Sequence, residues 1–223
     1  MIYEDLDTIE YAAAWDYQHK LFADALSLKE KGLQPQSHLL FCQHPHVITI
    51  GKHGDKNNLL YQENYLKQKG VSLFQIDRGG DVTYHGPGQL VGYPIFNLES
   101  FDIGLRQYIC NMEEIIIRFL ASYNVQAERL PGAAGVWIDT ATPARTRKIA
   151  AIGVRSSRFV TMHGFALNIN TDLSYFSLIN PCGFTDKGVT SLEKELGHKV
   201  DMEEVKAKMK ALFEEVFVEK NQG

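Results

Sequence analysis

Three cysteines are the first place to look for nucleophilic chemistry, and their surroundings differ. Cys182 stands in LINPCGF, between Pro181 and Gly183 and on no periodic apolar face, so it reads as a loop thiol open to solvent. A glycine after it leaves a backbone N–H able to meet a developing oxyanion. A free thiol with a pKa near ~8.5 is only a few per cent thiolate at neutral pH, so a working nucleophile needs a base or a cation beside it. His85, His163 and Lys148 are the candidates. Residue types alone leave a Cys/His arrangement, a Cys/Lys arrangement and an inert cysteine all open. Lys148 begins the otherwise apolar run KIAAIGV, either as a surface charge on its aliphatic stem or as a lysine at the mouth of a pocket. Cys42 in HLLFC and Cys110 beside Ile109 read as small buried hydrophobes. Cys42, His44 and His46 alternate, which on a strand would put them on one face as a metal site requires. Pro45 interrupts that strand and no fourth ligand is spaced nearby, so the packing reading is preferred and no metal is expected.

The densest constellation is RGGDVTYHGPGQLVGYPIFNL, Arg78 to Leu98, which holds five of the 18 glycines and two of the seven prolines. It is neither a G-x-G-x-x-G dinucleotide fingerprint nor a G-x-x-x-x-G-K-[ST] phosphate loop. Bare backbone beside Arg78, Thr83, Tyr84 and His85 favours a binding loop over an elaborate turn.

These residues need elements to hold them. Helical spacing of Tyr11, Ala14, Trp15, Leu21, Phe22, Ala25 and Leu26 predicts a helix from Ile9 to about Lys29. A second is predicted from about Gly104 to Tyr123, carried by Leu105, Tyr108, Ile109, Met112, Ile115, Ile116, Phe119 and Leu120. A short one lies at Glu63 to Gly70, and a last one begins at Asp201, which with Glu204 resembles a capping box. Strands are expected at His38–Cys42, Val47–Gly51, Leu73–Asp77, Gln89–Asn97, Val125–Glu128 and Gly135–Asp139. A hairpin of Lys148–Arg158 and Phe159–Ile169 is expected to turn near Ser156 and Ser157. No linker or repeat separates these pieces. One α/β (α+β) domain spanning residues 1–223, a mixed sheet packed with helices, is the architecture expected.

The chain has 223 residues, 23 basic against 27 acidic, a net charge of −4, and 44% hydrophobic content. Those values suit a compact globular protein and argue against a nucleic-acid binder. An acidic N-terminus and the lack of a run of roughly 18 apolar residues predict a cytoplasmic protein that does not bind membranes. Odd, scattered cysteines argue against a disulfide framework.

The chain resembles the lipoyl(octanoyl) transferase family, which moves an octanoyl chain from acyl carrier protein onto lipoyl domains. The likeness rests on Arg78–Leu98, KIAAIGVR at Lys148–Arg155, VTMHGFALNIN at Val160–Asn170, PCGF at Pro181–Phe184 and VTSL at Val189–Leu192, with QHPHVITIGK at Gln43–Lys52 in the same order. Lys52 stands where the family commonly has arginine, and Thr140–Arg147 lengthens the approach to Lys148. The resemblance implies that Cys182 carries the acyl group as a thioester and that Lys148 is its catalytic partner. It implies an acyl-substrate site formed by Arg78, Gly79, Gly80, Asp81, Val82, Thr83, Tyr84 and His85, with Ala151, Ile152, Gly153, Gly164, Phe165 and Ala166. Phe165, Ile152 and Leu167 are expected to wall an apolar tunnel. The fold implied is that of the biotin and lipoate protein ligases. No cofactor is implied. The implied donor is octanoyl-acyl carrier protein, and the acceptors are the lipoyl domains of 2-oxoacid dehydrogenase complexes and the glycine cleavage H protein. Arg145, Arg147, Arg155 and Arg158 are the basic residues considered for docking the carrier. An ATP-dependent lipoate or biotin ligase, which needs no cysteine, and a noncatalytic acyl-binding protein are the alternatives.

Overall fold

The computed structural model describes residues 1–52, 54–180 and 187–217. A mixed eight-stranded sheet forms its centre, in the order β1 (Ile2–Thr8), β2 (His38–Gln43), β6 (Gln89–Ile95), β10 (Val160–Asn168), β9 (Arg147–Ser157), β8 (Ala133–Ile138) and β7 (Glu128–Leu130), with β11 (Gly188–Val189) paired to β9 off that path. The β1–β2 and β11–β9 pairings are parallel and the others antiparallel. A smaller sheet has β3 (Val47–Ile50) between β4 (Ser72–Gln75), parallel to it, and β5 (Val82–His85), antiparallel.

Helices cover both faces of the large sheet. On one face α1 (Tyr11–Glu30) sets Ala14, Phe22 and Ala25 on Leu40, Val91, Ile95 and Met162. Tyr11, in the first turn of α1, continues onto Val47 and Ile76 and so joins α1 to the small sheet. That sheet has its own cluster, in which Ile48, Ile50, Val82 and Tyr84 meet Leu66 of the short helix α2 (Glu63–Gln68) and Leu178, Ile179, Tyr175 and Phe176 around a 3-10 turn at Leu173–Leu178. On the other face of the large sheet, α3 (Leu105–Ala121), α4 (Leu192–Leu196) and α5 (Met202–Val216) bury Tyr108, Met112, Ile115, Ile116, Phe119, Leu192, Val205, Met209 and Phe213 with Phe41, Leu90 and Leu167. Fully burying such a side chain is worth roughly 1.5–3 kcal/mol, which makes this the main core. Among the described residues no helix is long and apolar enough to cross a membrane.

Several boundaries differ from the sequence expectation for identifiable reasons. β1, paired to β2 from Ile2↔His38 onward, is an edge strand with no fully buried residue, so it lacks the apolar alternation that marks a half-buried strand. The Val125–Glu128 strand starts only at Glu128: Asn124 takes φ 58 and Val125 joins the core beside α3. The hairpin turns at Arg158 and Phe159, with φ 48 and 65, between the pair Ser157↔Val160. Two central residues of positive φ usually announce themselves as Asn-Gly, and here neither does. The capping box is half formed. Asp201 accepts from the Glu203 N–H (3.0 Å), whereas Glu204 turns away to the Tyr123 hydroxyl (3.0 Å) and Lys208 (2.7 Å). Inside the glycine-rich block, Val82–His85 is a strand rather than loop, because β3 offers it a full antiparallel ladder.

Candidate active site

A cavity of about 370 Å³ lies between β5 of the small sheet and strands β6, β9 and β10 of the large one, within the ~300–1,000 Å³ typical of small-molecule sites. Antiparallel register lays its walls out in rungs: Val91, Ala166 and Ala151 share one, Phe165 and Ile152 the next, and Gly164 faces Gly153 beyond it. Lys148 lines one end, and Gly153, Tyr93 and His163 line the other. Lys148 lies five positions before Gly153 on β9, roughly 13–17 Å at the rise of a strand.

Lys148 reaches this face through an irregularity. On β8, Trp137 opposes Lys148 but Val136 opposes Ala150, so Ile149 is an extra residue in β9. Ile149 and Ala150, neighbours in sequence, both enter the core under α3. Strict alternation would have sent Lys148 to that core face; the bulge returns it to the cavity face with Ala151 and Gly153, a common use of bulges beside active sites. Its Nζ donates to the Ala134 carbonyl (3.4 Å) and lies 4.5 Å from the centre of the Trp137 ring.

Arg78 anchors the glycine-rich loop. Its guanidinium is buried and donates to the Thr49 carbonyl (2.9 Å), the Thr49 hydroxyl (3.0 Å) and the Gly79 carbonyl (3.0 Å). The sequence leaves room for it: a Cβ on Gly153 would stand 2.9 Å from the Gly79 carbonyl oxygen and 3.1 Å from Arg78 Cδ. Gly80 turns the loop with φ 88, a left-handed conformation that other residues enter at a cost.

Two histidines face the cavity and both are held neutral by burial. His85 is pushed down to about 3 by burial and by His44 nearby, and its Nδ1–H donates to Gln89 Oε1 (2.8 Å). His163 is likewise lowered by burial. It sits at φ 61 in the middle of β10, a strained position for a non-glycine residue, and donates Nε2–H to Asp77 Oδ1 (2.8 Å). That hydrogen bond, with Arg155 on the other carboxylate oxygen, holds Asp77 down at about 2. Behind this end, His44, lowered to about 4 by burial, donates Nδ1–H to the Ile9 carbonyl (2.7 Å) and accepts from the Tyr93 hydroxyl (2.7 Å).

Of the eight loop residues expected in the acyl site, Arg78, Gly80, Asp81, Val82, Thr83 and His85 line the cavity. Gly79 instead bonds its N–H to the Val154 carbonyl (2.9 Å), and Tyr84, alternating with its neighbours on β5, points into the small sheet's core with its hydroxyl on His46 Nδ1 (2.7 Å). Ala151, Ile152, Gly153, Gly164, Phe165 and Ala166 all line it, with Lys148. Leu167 does not wall a tunnel, since it is buried on the opposite face with α3 and α5. Cys182 and Gly183 lie outside the described residues. The chain before them is tied to the small sheet's flank by Asn180 N to the Asn58 carbonyl (2.8 Å), and the chain after them to Lys148, through Val189↔Lys148 and Thr190 N to the Lys148 carbonyl (2.9 Å). Cys42, His44 and His46 do not form one cluster: the buried Cys42 Sγ lies 3.5 Å from His44 Nε2, which also accepts from Tyr93, while His46 turns away to the Tyr84 hydroxyl. The four arginines considered for docking are each paired, Arg145 and Arg147 with Asp139, Arg147 also with Glu195 (2.7 Å), Arg155 with Asp77 and Arg158 with Glu30 (2.6 Å), so they form no uncompensated basic face. Sequence reasoning misses Tyr11, Val91, Tyr93 and the turn Gly132–Ala134 as cavity walls. Tyr11 lies on a helix's apolar stripe and reads as packing, and only the small-residue run PGAAG hints at the turn.

Residues 10–214 match the model of the lipoyl protein ligase A/B catalytic domain. The chain belongs to that family. Within it, the chain is 59% identical over 215 residues to an octanoyltransferase of Parabacteroides distasonis, covering 96% of this chain and 97% of that one, and it groups with the octanoyltransferases. Its fold is also that of a lipoate protein ligase from Thermoplasma acidophilum (TM-score 0.69, 18% identity, 99% of this chain and 87% of that one). A biotin protein ligase from Aquifex aeolicus is similar at greater distance (TM-score 0.52, 14% identity, 97% and 70%).

Proposed function

We propose that this protein transfers an octanoyl group from octanoyl-acyl carrier protein to a specific lysine of lipoyl domains, through a thioester on Cys182 with Lys148 as its acid and base. The observation that carries this reading is Lys148, brought by a bulge onto the end of a largely apolar cavity, beside the strand that follows Cys182 in sequence. An ammonium about 4 Å from a thiolate stabilises it by roughly 4 kcal/mol at an effective dielectric near ~20, enough to make a thiol of ordinary pKa largely ionised at neutral pH.

In the first half-reaction the Cys182 thiolate attacks the thioester carbonyl. The tetrahedral oxyanion collapses with loss of the carrier's thiolate, and the Lys148 ammonium protonates that leaving group. In the second half-reaction the acceptor lysine's neutral amine attacks the acyl-enzyme. Lys148, now neutral, takes the amine's proton as the amide forms and the Cys182 thiolate departs. Both groups return to their starting states, so one lysine serves both steps. The acyl chain lies along the Ala151, Ala166 and Val91 rung, away from Lys148. Lipoyl domains of 2-oxoacid dehydrogenase complexes and the glycine cleavage H protein are the acceptors proposed.

Intact-protein mass spectrometry after mixing with octanoyl carrier protein tests the reading. The expected result is an octanoyl adduct, absent in Cys182→Ala, that a lipoyl domain discharges without ATP. An undiminished adduct in Cys182→Ala, or transfer that requires ATP and releases pyrophosphate, overturns it.

A further inference from the structure

A chain of buried hydrogen bonds crosses the large sheet behind the cavity. His85 donates to Gln89 Oε1 (2.8 Å), Gln89 Nε2 donates to Asn168 Oδ1 (2.9 Å) and to the Tyr84 carbonyl (3.1 Å), and Asn168 Nδ2 donates to the Thr190 carbonyl (3.0 Å). Thr190 then donates its N–H to the Lys148 carbonyl (2.9 Å) and its hydroxyl to Glu195 (2.5 Å), the carboxylate that also holds Arg147. Gln89 and Asn168 sit directly opposite each other on β6 and β10 and are 1% and 4% exposed. Two carboxamides in a place where apolar side chains would gain more from burial call for a role that only their hydrogen bonds fill.

That role is legible at Lys148. β11 is two residues long, paired only as Gly188↔Arg147 and Val189↔Lys148, too short a ladder to hold itself in place. On the other side of Lys148 the bulge at Ile149 disrupts the β8–β9 ladder. The end of β9 that carries the lysine therefore has weak sheet support on both sides, and Asn168 supplies a side-chain anchor to it.

We propose that Asn168 is a positioning residue. Through Thr190 it fixes the segment 188–190 on the Lys148 end of β9, and through Gln89 it ties that edge to His85 in the cavity wall. It touches no reacting atom, and the proposal rests on Lys148 acting at that end as described above.

Asn168→Leu keeps the branched shape, at a larger volume, and removes both bonds. In native-state hydrogen exchange its Gly188 and Thr190 amides are expected to lose protection on the order of tenfold or more, with the β9–β10 ladder unchanged. The kcat for octanoyl transfer is expected to fall on the order of tenfold or more, with KM for the donor within about twofold of wild type. Asn168→Asp gives an independent readout. Its carboxylate has no proton to offer the Thr190 carbonyl, whereas its carboxylic acid does, and burial raises its pKa. The ratio of variant to wild-type kcat should therefore rise as pH falls below neutral, and this ratio carries the test should the leucine variant not fold. Protection at 188 and 190 that is unchanged, protection lost with kcat unchanged, or a ratio flat with pH overturns the proposal. Transfer by wild type without a Cys182 adduct would instead remove the nucleophile assignment, and the Asn168 measurements would still decide the positioning role.

Discussion

The two ends of the cavity differ in how their recorded polar contacts are made. At the Tyr93 and His163 end, polar groups are matched inside the fold: His163 with Asp77, Asp77 with Arg155, Tyr93 with His44, His44 with the Ile9 carbonyl. At the Lys148 end, the lysine meets the Ala134 carbonyl and the Trp137 ring, and neither of these contacts carries a formal charge. The first end fixes conformation through this chain of paired side chains. The second aims an ammonium by strand geometry, which suits the acid and base role proposed for Lys148. Under the proposed function, binding and chemistry are separated along one face of β9.

The sharpest way to break this division is Lys148→Ala. Loss of a general acid and base is expected to slow acyl-enzyme formation at neutral pH by on the order of 10²- to 10⁴-fold, read as the rate of adduct growth by mass spectrometry. An unchanged rate would place the chemistry elsewhere. A smaller effect, on binding, is expected further along the face. Ala166 lies level with Val91 and Ala151, so Ala166→Leu puts a side chain on the path proposed for the acyl chain. Overpacking of this kind costs about 1–3 kcal/mol, and KM for the octanoyl donor should rise roughly 5- to 100-fold with kcat much less affected. An unaltered KM would mean that the acyl chain takes another path.

The matched end makes a prediction about acid. His44 and His85 are held down at about 4 and 3 by burial, against about 6.5 in an unfolded chain. Between those values the unfolded chain binds protons that the folded one refuses, so stability is full above about pH 6.5 and declines as pH falls toward 4, by up to about 1.4 kcal/mol per pH unit for each histidine. Asp77, held at about 2, loses its stabilising contribution only as pH falls from about 4 toward that value. The melting temperature should therefore drop between pH 7 and 5, and less steeply in His85→Gln. A melting temperature flat over that interval would show that the buried histidines titrate without cost.

The same contrast sets how much is legible in the sequence. The blocks expected in the acyl site are contiguous, so Arg78–His85, Ala151–Gly153 and Gly164–Ala166 stand out as runs, and the long helices follow from their 3.6-residue stripes. What escapes depends on strand register. Leu167 is expected in the wall because it neighbours Phe165 and Ala166, but β10 alternation buries it under α3 and α5, on the face where the Phe165 ring also stacks on Phe213. Tyr84 is expected in the site because it lies inside the motif, and β5 alternation turns it into the small sheet's core. Asn168 and Gln89 matter as a cross-strand pair 79 residues apart, a relation invisible until β6 and β10 are aligned. The basic docking face fails for a similar reason, since Asp77, Asp139 and Glu30 meet those arginines only in the folded chain.

The smallest predicted effect bears on how Lys148 is aimed. If strand geometry does the aiming, the Trp137 ring is a secondary support, worth about 0.5–1 kcal/mol for a cation over an aromatic face at a partly exposed site. Trp137 also spends its indole N–H on the Ala133 carbonyl (3.1 Å), within the turn that lines this end. Trp137→Phe keeps an aromatic face and loses that bond, so acyl-enzyme formation should slow by only about 2- to 10-fold, with KM for the donor unchanged. A loss of roughly 100-fold or more, in a variant whose melting temperature matches wild type, would mean that the ring and its turn, rather than the bulge at Ile149, hold the ammonium in line. The two ends would then differ less than their contacts imply, since both would depend on side chains locked by their neighbours.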